Sequence, residues 1–432
     1  MNILVIGDWH LAHITTGALV EIGHKVTLLT SKNIKEGIKK NELVIYEPDL
    51  ERVFQQGLKN GFLFLEDQLS KIKNIFDFVW IANDTSLEKS SEEIMLDIFN
   101  LISDIRNNLS SDIDIVISSQ IPLGTSNFLK KKFLDISCKL FIVPENLQLG
   151  KGIDSFLKQE RFILGFENNI NINQKSIYIL LKQITNNIIC MNHNSAELLK
   201  HSLNSYLAMN ISFANEIGKI AKIYNASSDD ISKGLKSDKR VGQNAYLSAG
   251  NAFHGGTLKR DLNHLSNLFS KNKVEAPLIK SILSSNKIHS NFVLELLNSY
   301  SFIKNIFIFG LSYKINSNVL RDSNYIKDAY KLSKTNKKIF CLDTDIRIND
   351  PKIIDLKNKN VEIFDSYDEL PNELNFDCFI INKIKKIDVL KTIKFLRESF
   401  NEGSKILVID LNKIIFSGLN SMDLENLNYE TL

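Results

Sequence analysis

Two polar residues of this 432-residue chain, Lys200 and Asn204, are spaced so that they could act on one ligand. They fall within residues 196–223, a run without proline in which apolar residues recur near helical spacing, and this pattern predicts one long helix. Residues four apart share one face of a helix. A fixed ammonium and a fixed amide can stabilise charge that develops on a substrate oxygen. The spacing makes such chemistry possible for this pair, the alternative being a helix with an ordinary exposed lysine.

A second candidate segment, residues 250–261, is rich in glycine and reads GNAFHGGTLKRD. Its glycines, Gly255 and Gly256 among them, indicate close approach of the backbone to a ligand. Thr257 lies at the centre of the segment, and a threonine hydroxyl without an adjacent base is a poor nucleophile.

The N-terminus has a short apolar run that ends at Gly7 and is followed by the sequence DWHLA. A dinucleotide-binding fold places G-x-G-x-x-G at such a turn, between the first strand and the first helix. Only Gly7 is kept, because Trp9 takes the second position and Ala12 the third. The next predicted strand ends at Thr30, where an acid usually holds the adenosine ribose. The residues leave two interpretations open, NAD binding in an altered pose or no NAD binding.

The order of elements predicts an α/β protein with two Rossmann-like, doubly wound domains, joined by a long central helix and a helical middle domain. Short apolar strands alternate with helices in the first half and again from about residue 301 onward, a pattern typical of parallel sheets covered on both faces. We place an N-terminal Rossmann-like, NAD-type domain at residues 1–193, a central helical domain at 194–298 and a C-terminal Rossmann-like domain at 299–432.

Composition narrows the class of protein further. The 53 basic and 50 acidic residues leave a net charge of +3, which gives no support for a nucleic-acid partner or a membrane surface. Four cysteines lie far apart and predict neither a metal site nor disulfides. No apolar run approaches the roughly 20 residues of a membrane span. We expect a soluble cytoplasmic protein with reduced thiols.

Taken in order, these motifs resemble the nucleotide-sugar 6-dehydrogenases, the UDP-glucose/GDP-mannose dehydrogenase family. The middle helix AELLKHSLNSYLA resembles the family's AELIKYASNAFLA, and residues 250–261 resemble GPGFGGSCFPKD with Thr257 at the catalytic cysteine. Residues 310–323, from GLSYKIN to LRDS, resemble the family's GLAFKxNTxDxRDS. The resemblance covers nearly the whole chain. It implies NAD as cofactor, a UDP- or GDP-sugar as substrate, a homodimer, and a place in glycan or polysaccharide precursor synthesis.

The resemblance also assigns roles to individual positions. It implies catalytic roles for Lys200, Asn204, Thr257, Asp261 and Glu145. It implies cofactor contacts by Gly7, Trp9, Ala12, Thr30, Thr85 and Gln120. It implies substrate contacts by Arg240, Phe253, Gly255, Gly256, Arg260, Tyr313, Lys314 and Arg321.

Thr257 bears directly on the reaction. The family oxidises C6 of the sugar twice, and a cysteine thiolate captures the intermediate aldehyde as a thioester precursor. A thiol ionises near pH ~8.5 and is a strong nucleophile, whereas a threonine hydroxyl is not. Three interpretations follow: a divergent dehydrogenase that acts at C6 without the thioester, a redox-neutral enzyme on the same scaffold, or a non-catalytic sugar-nucleotide-binding protein.

Overall fold

A computed structural model of the chain describes residues 1–73, 75–85, 89–133, 136, 139–145, 147, 150–168, 170–371, 375–399 and 406–432. The chain divides into two compact units, a first unit of Met1–Ser202 and a second unit of Leu203–Leu432. The helix α8, His193–Ile223, contains the boundary between them. It confirms the long helix that the apolar spacing predicts.

The first unit is built on a largely parallel sheet. Its strands are β1 (Asn2–Ile6), β2 (Lys25–Leu29), β3 (Leu63–Glu66), β4 (Phe78–Ile81), β5 (Ile115–Ile117), β6 (Leu140–Ile142), β7 (Phe162–Gly165) and β8 (Ile188–Met191). Its helices before α8 are α1 (His10–Glu21), α2 (Lys32–Lys39), α3 (Leu50–Asn60), α4 (Ser91–Asn108), α5 (Thr125–Lys132), α6 (Asp154–Leu157) and α7 (Ser176–Ile184). The strand order is β3-β2-β1-β4-β5-β6-β7-β8, with β6 and β7 antiparallel and the other neighbours parallel.

The strand β1 shows why this sheet has helices on both faces. All four residues from Ile3 to Ile6 are buried, and successive side chains of a strand point to opposite faces. Ile3 and Val5 belong to one apolar cluster, while Leu4 and Ile6 belong to another. A strand that is apolar at every position therefore requires a core on each side of the sheet.

The second unit contains a helical part and a second parallel sheet. After α8 come the helices α9 (Ser228–Ser237), α10 (Gly256–Lys271), α11 (Pro277–His289) and α12 (Phe292–Asn298). The sheet and its helices follow as β9 (Asn305–Phe309), α13 (Asn324–Leu332), β10 (Lys338–Leu342), α14 (Pro351–Lys357), β11 (Val361–Phe364), β12 (Cys378–Ile381), α15 (Val389–Glu398), β13 (Ile406–Ile409), α16 (Ser421–Glu425) and β14 (Leu427–Glu430).

Short 3-10 helices lie at Leu69–Lys71, Ile172–Gln174, Tyr367–Glu369, Lys386–Asp388 and Phe416–Gly418. The strand order of the second sheet is β11-β10-β9-β12-β13-β14, and its neighbours are parallel. This order and the order of the first six strands of the first sheet are both that of a doubly wound dinucleotide fold. The predicted fold class, with two Rossmann-like regions and a helical part, is confirmed.

In the part of the chain that the structure describes, no helix is long and apolar enough to cross a membrane. Among the described cysteines, Cys190 is exposed and Cys341 and Cys378 are buried, each as a free thiol. Burial raises the pKa of both buried thiols. Cys138, the fourth cysteine of the sequence, lies outside the described residues.

The first prediction concerns Gly310, which follows β9 with φ +92°. A Cβ on this residue would lie 2.4 Å from Cγ of Lys383. Gly310→Ala should therefore lower the free energy of unfolding by about 1–3 kcal/mol, through backbone strain and displacement of the lysine. The measurement is chemical denaturation followed by circular dichroism.

The matched control is Gly234→Ala in α9, where a Cβ would meet none of the described atoms within 4 Å. This change should leave stability unchanged or raise it by up to about 1 kcal/mol, because alanine favours the helix. Equal stability of Gly310→Ala and the unaltered chain would contradict the tight packing at Gly310.

Candidate functional site

The predicted cofactor residues of the first unit gather at one edge of its sheet. Gly7 follows β1, Thr30 follows β2 and Thr85 comes shortly after β4, while Gln120 comes shortly after β5. These strands are parallel neighbours, so their carboxyl ends share one edge, which is where doubly wound sheets bind ligands. Thr85 donates from its hydroxyl to the carbonyl of Gln120 at 2.8 Å, which joins two of the loops directly.

The turn after β1 keeps the geometry that its first glycine requires. Gly7 has φ +155°, and a Cβ on it would lie 2.7 Å from both Cβ of Ala12 and the carbonyl oxygen of Ala82. Its N–H donates to the carbonyl of Leu29 at 3.1 Å. The small residue Ala12 in the third position is thus compatible with close packing of α1 on the sheet.

Trp9 lies at the N-cap of α1 in an extended conformation, and its side chain is half-buried against the apolar core of the first unit. An indole has no hydrogen-bond acceptor, so it cannot cap the helix as serine or aspartate does. The first-turn N–H groups of α1 are therefore not bound by the Trp9 side chain. This open helix start and the Gly7 turn fit the pyrophosphate of a dinucleotide.

Asp8, which the sequence patterns do not single out, links the turn to the next strand. Its Oδ1 atom accepts hydrogen bonds from the Thr30 hydroxyl and from the Ser31 N–H, both at 2.7 Å. Thr30 is buried, whereas Asp8 is exposed. A carboxylate therefore stands at the end of β2 although the sequence of β2 ends without an acid.

Buried polar residues fix the rest of this edge. Glu47 is buried and accepts from the N–H groups of Gly150 and Gly152 at 2.8 and 2.7 Å, and it lies 3.0 Å from Nε2 of His10. In α1, burial lowers the pKa of His13 to about 4, so this ring is neutral at neutral pH. These contacts hold the loop that follows Glu145 against the start of α1.

Glu145 and Lys200 contact each other within the first unit. The Lys200 ammonium donates to the backbone carbonyl of Glu145. The buried carboxylate of Glu145 accepts from Nε2 of Gln159 at 2.6 Å. Lys200 is half-buried. The structure thus places the lysine beside the loop after β6, where its charge faces the carboxyl edge of the sheet.

Glu197, one turn before Lys200, anchors α8 to the loop that contains Gln120. Its carboxylate accepts from the N–H groups of Gly124 and Ser126 at 2.7 and 2.8 Å. Burial raises the pKa of Glu197, and the hydrogen bonds from Ser126 and Gly124 oppose that rise. The carboxylate also lies at the start of α5, a position that favours negative charge.

In the second unit, Asn204 and Asp261 form a buried hydrogen-bonded pair. Nδ2 of Asn204 donates to Oδ2 of Asp261, and the latter residue is fully buried. Asp261 lies in the second turn of α10, which begins at Gly256. A buried carboxylate fixes the amide so that its oxygen points away from the pair. Thr257 is exposed in the first turn of the same helix, and Arg260 is half-buried.

The segment before α10 packs closely on two aromatic rings. A Cβ on Gly255, at φ +80°, would lie 2.3 Å from Cε2 of Tyr313. The His254 ring meets Tyr313 and Tyr325 edge-on, with centroid distances of 5.1 and 4.5 Å. Burial lowers the pKa of His254 to about 4 and raises the pKa of Tyr313. The sequence-predicted residues Gly255 and Tyr313 are therefore in contact, beside an uncharged imidazole.

Phe253 belongs to the core of the helical part. Its N–H donates to Oδ1 of Asn286 at 2.9 Å, and its carbonyl accepts from Nδ2 of the same asparagine at 2.8 Å. The ring is buried in an apolar cluster with Ala208, Leu262 and Ile282. Phe253 therefore holds the segment in place through its backbone and core packing.

The loop with Tyr313, Lys314 and Arg321 is positioned by a buried charged group. Oδ2 of Asp343 accepts from the N–H groups of Leu311 and Ser312 and from the Ser312 hydroxyl, at 2.7–2.8 Å. The Lys383 ammonium, which is also buried, lies 3.2 Å from Asp343 and 2.8 Å from Asp345, and donates to the Lys314 carbonyl at 3.2 Å. The following loop is thus held through its backbone.

The comparisons with known proteins agree with this arrangement. Residues 1–184 match the NAD binding domain of the UDP-glucose/GDP-mannose dehydrogenase family, and residues 194–288 match the family's central domain. The two matches together cover more than half of the chain. The chain belongs to this family. It therefore has the Rossmann-type NAD-binding fold of a nucleotide-sugar dehydrogenase and falls in the class of oxidoreductases.

Individual relatives extend over most of the chain. The UDP-glucose 6-dehydrogenase of Rickettsia prowazekii is 27% identical to this chain over 434 residues. The alignment covers 96% of this chain and 96% of the relative. The UDP-glucose 6-dehydrogenase YwqF of Bacillus subtilis is 28% identical over 360 residues, covering 81% of this chain and 80% of the relative. A UDP-glucose dehydrogenase from Pyrobaculum islandicum has the same fold, with a TM-score of 0.80, 20% identity, and coverage of 99% of this chain and 96% of that one.

For a member of this family, three positions stand out. Thr257, at the family's cysteine, is exposed at the start of α10. The Arg240 guanidinium pairs with Asp238 at 2.6 Å, and its side chain is 90% exposed. Asp261, by contrast, is fully buried. Arg321 is also exposed and lies 4.0 Å from Asp322. Substrate binding by Arg240 and Arg321 therefore stays a prediction, since both side chains are exposed and each is paired with an aspartate close in sequence.

The sequence patterns missed Asp8, Gln159, Asp343 and Lys383 as residues that organise the site. Each acts on a segment far away in sequence: Asp343 binds the loop some thirty residues earlier. One signal was available, since Asp343 follows a predicted strand of a doubly wound domain, the usual position of a ligand-binding acid. No comparable signal exists for Gln159.

Proposed function

We propose that this protein oxidises the C6 position of a nucleoside-diphosphate sugar, a UDP- or GDP-sugar, without forming a thioester. The proposal depends on the buried hydrogen bond between Asn204 on α8 and Asp261 on α10. The first turn of α10 has Thr257 where the family has its cysteine. The relatives in Rickettsia and Bacillus are named UDP-glucose 6-dehydrogenases, which supports a UDP-sugar as substrate.

The roles of the polar groups follow from their chemistry. The ammonium of Lys200 and the Asn204 amide N–H that does not bind Asp261, four residues apart on α8, stabilise negative charge as it develops on the C6 oxygen. Asp261 keeps the Asn204 amide oriented, since a hydrogen-bonded carboxylate fixes which end of the amide faces it. Glu145, held by Gln159, is the candidate acceptor for a proton from water or from the C6 hydroxyl.

The proposed cofactor is NAD, bound at the carboxyl edge of the first sheet. The Gly7 turn, the uncapped start of α1 and the partly buried Trp9 ring support this choice. Bound NAD supplies the hydride acceptor. With NAD bound, the alcohol at C6 would lose a hydride from carbon to the cofactor and a proton from oxygen to Glu145, and would become an aldehyde. Retention of Lys200, Asn204 and Asp261 favours this reaction over a redox-neutral or purely binding role.

A threonine at position 257 changes the second oxidation. A thiolate adds to an aldehyde and gives a thioester after hydride loss, whereas a threonine hydroxyl remains protonated at neutral pH and is a much weaker nucleophile. We therefore expect oxidation to end at the aldehyde, or to proceed slowly on its hydrate. The aldehyde differs from the uronic acid that forms through a thioester, whereas oxidation of the hydrate gives that same acid, but slowly.

A binding experiment tests the substrate class. Lys314→Ala should weaken binding of UDP and UDP-glucose by roughly tenfold to a hundredfold, since a charge-assisted hydrogen bond to a diphosphate contributes about 1.5–3 kcal/mol. Calorimetry on both proteins gives the affinities. Lys334→Ala, an exposed lysine after α13, is the matched control and should bind as tightly as the unaltered chain. Absence of binding of every common UDP- and GDP-sugar would rule out the proposed substrate class.

A second experiment tests the role of Thr257. With UDP-glucose and NAD, the unaltered chain should form little or no UDP-glucuronic acid, while Thr257→Cys should raise its formation because the thiol restores a nucleophile. NADH absorbance and mass spectrometry of the products give the two readouts. Thr257→Ser, which keeps a hydroxyl, is the control and should behave as the unaltered chain. Rapid two-step oxidation to the acid by the unaltered chain would contradict the proposed route.

We further propose a homodimer formed along α8. Large apolar side chains with substantial exposure recur every seven residues on this helix, Tyr206 (53%), Phe213 (46%) and Ile220 (47%). A seven-residue repeat places them in one stripe, and such a stripe on an isologous interface buries apolar surface from both copies. A charged side chain in the middle of this stripe would lose its water when two copies associate and would gain no partner, so it should destabilise the dimer.

Phe213→Glu should therefore give a 49.2 kDa monomer in light scattering, while the unaltered chain gives twice that mass. Phe302→Glu changes a phenylalanine of equal exposure, 46%, outside the helix, and should leave the dimer intact. A monomeric unaltered chain at micromolar concentration would exclude this interface.

A further inference from the structure

Asp8 connects the turn after β1 to the end of β2 by its carboxylate. Oδ1 accepts both hydrogen bonds, from the buried Thr30 hydroxyl and from the Ser31 N–H, at 2.7 Å each. An ionised carboxylate has about four acceptor sites on its two oxygens. Since Asp8 is exposed, acceptor capacity remains for a ligand that reaches this edge of the sheet.

The position of this carboxylate is the one at which doubly wound folds recognise the adenosine half of a dinucleotide. In such folds an acid at the end of the second strand accepts hydrogen bonds from the adenosine ribose hydroxyls. Here that strand ends with Thr30, and an oxygen of Asp8 lies 2.7 Å from the threonine hydroxyl. The carboxylate reaches the end of β2 from the neighbouring turn.

We propose that Asp8 replaces the missing acid of β2 and binds the adenosine ribose hydroxyls of NAD. This inference rests on the proposed function, in which NAD binds at the first sheet. The hydrogen bonds from Thr30 and Ser31 fix the carboxylate before a ligand arrives, so the ribose meets an oriented acceptor.

The same arrangement determines which dinucleotide the site accepts. The Thr30 hydroxyl and the Ser31 N–H are donors that suit a phosphate, and the exposed Lys32 follows them. Asp8 occupies both donors and brings a negative charge to the position of the 2′-phosphate of NADP. Asp8 therefore acts as a specificity residue, selecting NAD over NADP by like-charge repulsion. Its removal frees the donors for a phosphate.

The experiment measures affinity for NAD and for NADP in four proteins, the unaltered chain, Asp8→Asn, Asp8→Ser and Asp77→Asn. Calorimetry gives the dissociation constants, and quenching of tryptophan fluorescence gives a second reading because Trp9 adjoins Asp8. The control residue, Asp77, is an exposed acid that accepts from the Asn2 N–H at 2.8 Å, at the opposite end of β1. It makes the same kind of contact away from the proposed site.

The unaltered chain should prefer NAD. Asp8→Asn should weaken NAD binding by roughly tenfold to a hundredfold, the effect of losing a charge-assisted hydrogen bond. Asp8→Ser should in addition strengthen NADP binding, so that the preference reverses. Asp77→Asn should bind both cofactors as the unaltered chain does. A change in the ratio of the two affinities distinguishes recognition from a disturbed turn, which would weaken both cofactors alike.

Three outcomes would overturn the assignment. If the unaltered chain binds NAD and Asp8→Asn binds it equally well, the role of Asp8 is wrong and the proposed function stands. The same holds if both substitutions at Asp8 weaken NAD and NADP in equal proportion. If the unaltered chain binds UDP-sugars but neither dinucleotide, the NAD part of the proposed function fails together with the assignment of Asp8.

Discussion

Loop N–H groups that follow the strands lie outside the hydrogen bonds of the sheet and need other partners, and in each unit a carboxylate accepts from some of them. In the first unit, Asp8 in the turn after β1 accepts from Thr30 and Ser31 after β2. In the second unit the direction is reversed, since Asp343 after β10 accepts from Leu311 and Ser312 after β9. One link joins the turn after β1 to the end of β2, and the other joins the loop after β9 to the end of β10. These hydrogen bonds hold the loops that contain candidate site residues.

Local sequence patterns were sufficient for the elements of the fold. Continuous apolar runs such as Ile3–Ile6 predicted strands covered on both faces, and the structure puts alternate residues in two different cores. The spacing of apolar residues predicted the long helix α8. These patterns depend on neighbours in the sequence, where periodicity of two or of 3.6 reflects which faces are buried. Strand order then follows from the restricted connections of doubly wound sheets.

Site residues could be predicted from the sequence only where the residue type and its spacing indicate a chemical role. Lys200 and Asn204 could be paired from their spacing on one helix, but the partner of Asn204 lies fifty-seven residues away in α10. The carboxylate that lies at the end of β2 could not be found by reading the sequence of β2, because Asp8 reaches that place from another strand's loop. The order of strands in the sheet determines which loops lie close together. A search for motifs at fixed sequence positions therefore misses contacts between loops.

The two sheets share a strand order, yet their edges differ in a way that favours one cofactor site. At the turn after β9, a Cβ on Gly310 would lie 2.4 Å from Cγ of Lys383, whose ammonium is buried between Asp343 and Asp345. A pyrophosphate entering there would have to displace a paired lysine and leave two buried carboxylates uncompensated, which costs several kcal/mol (about 3–5 for breaking one buried pair). At Gly7 the atoms nearest to a Cβ would be Cβ of Ala12 and the backbone of Ala82, neither of which belongs to an ion pair. This difference favours the first sheet for the proposed dinucleotide, in agreement with the match of residues 1–184 to an NAD binding domain. The Asp343–Lys383 group instead holds the backbone of the loop with Tyr313 and Lys314.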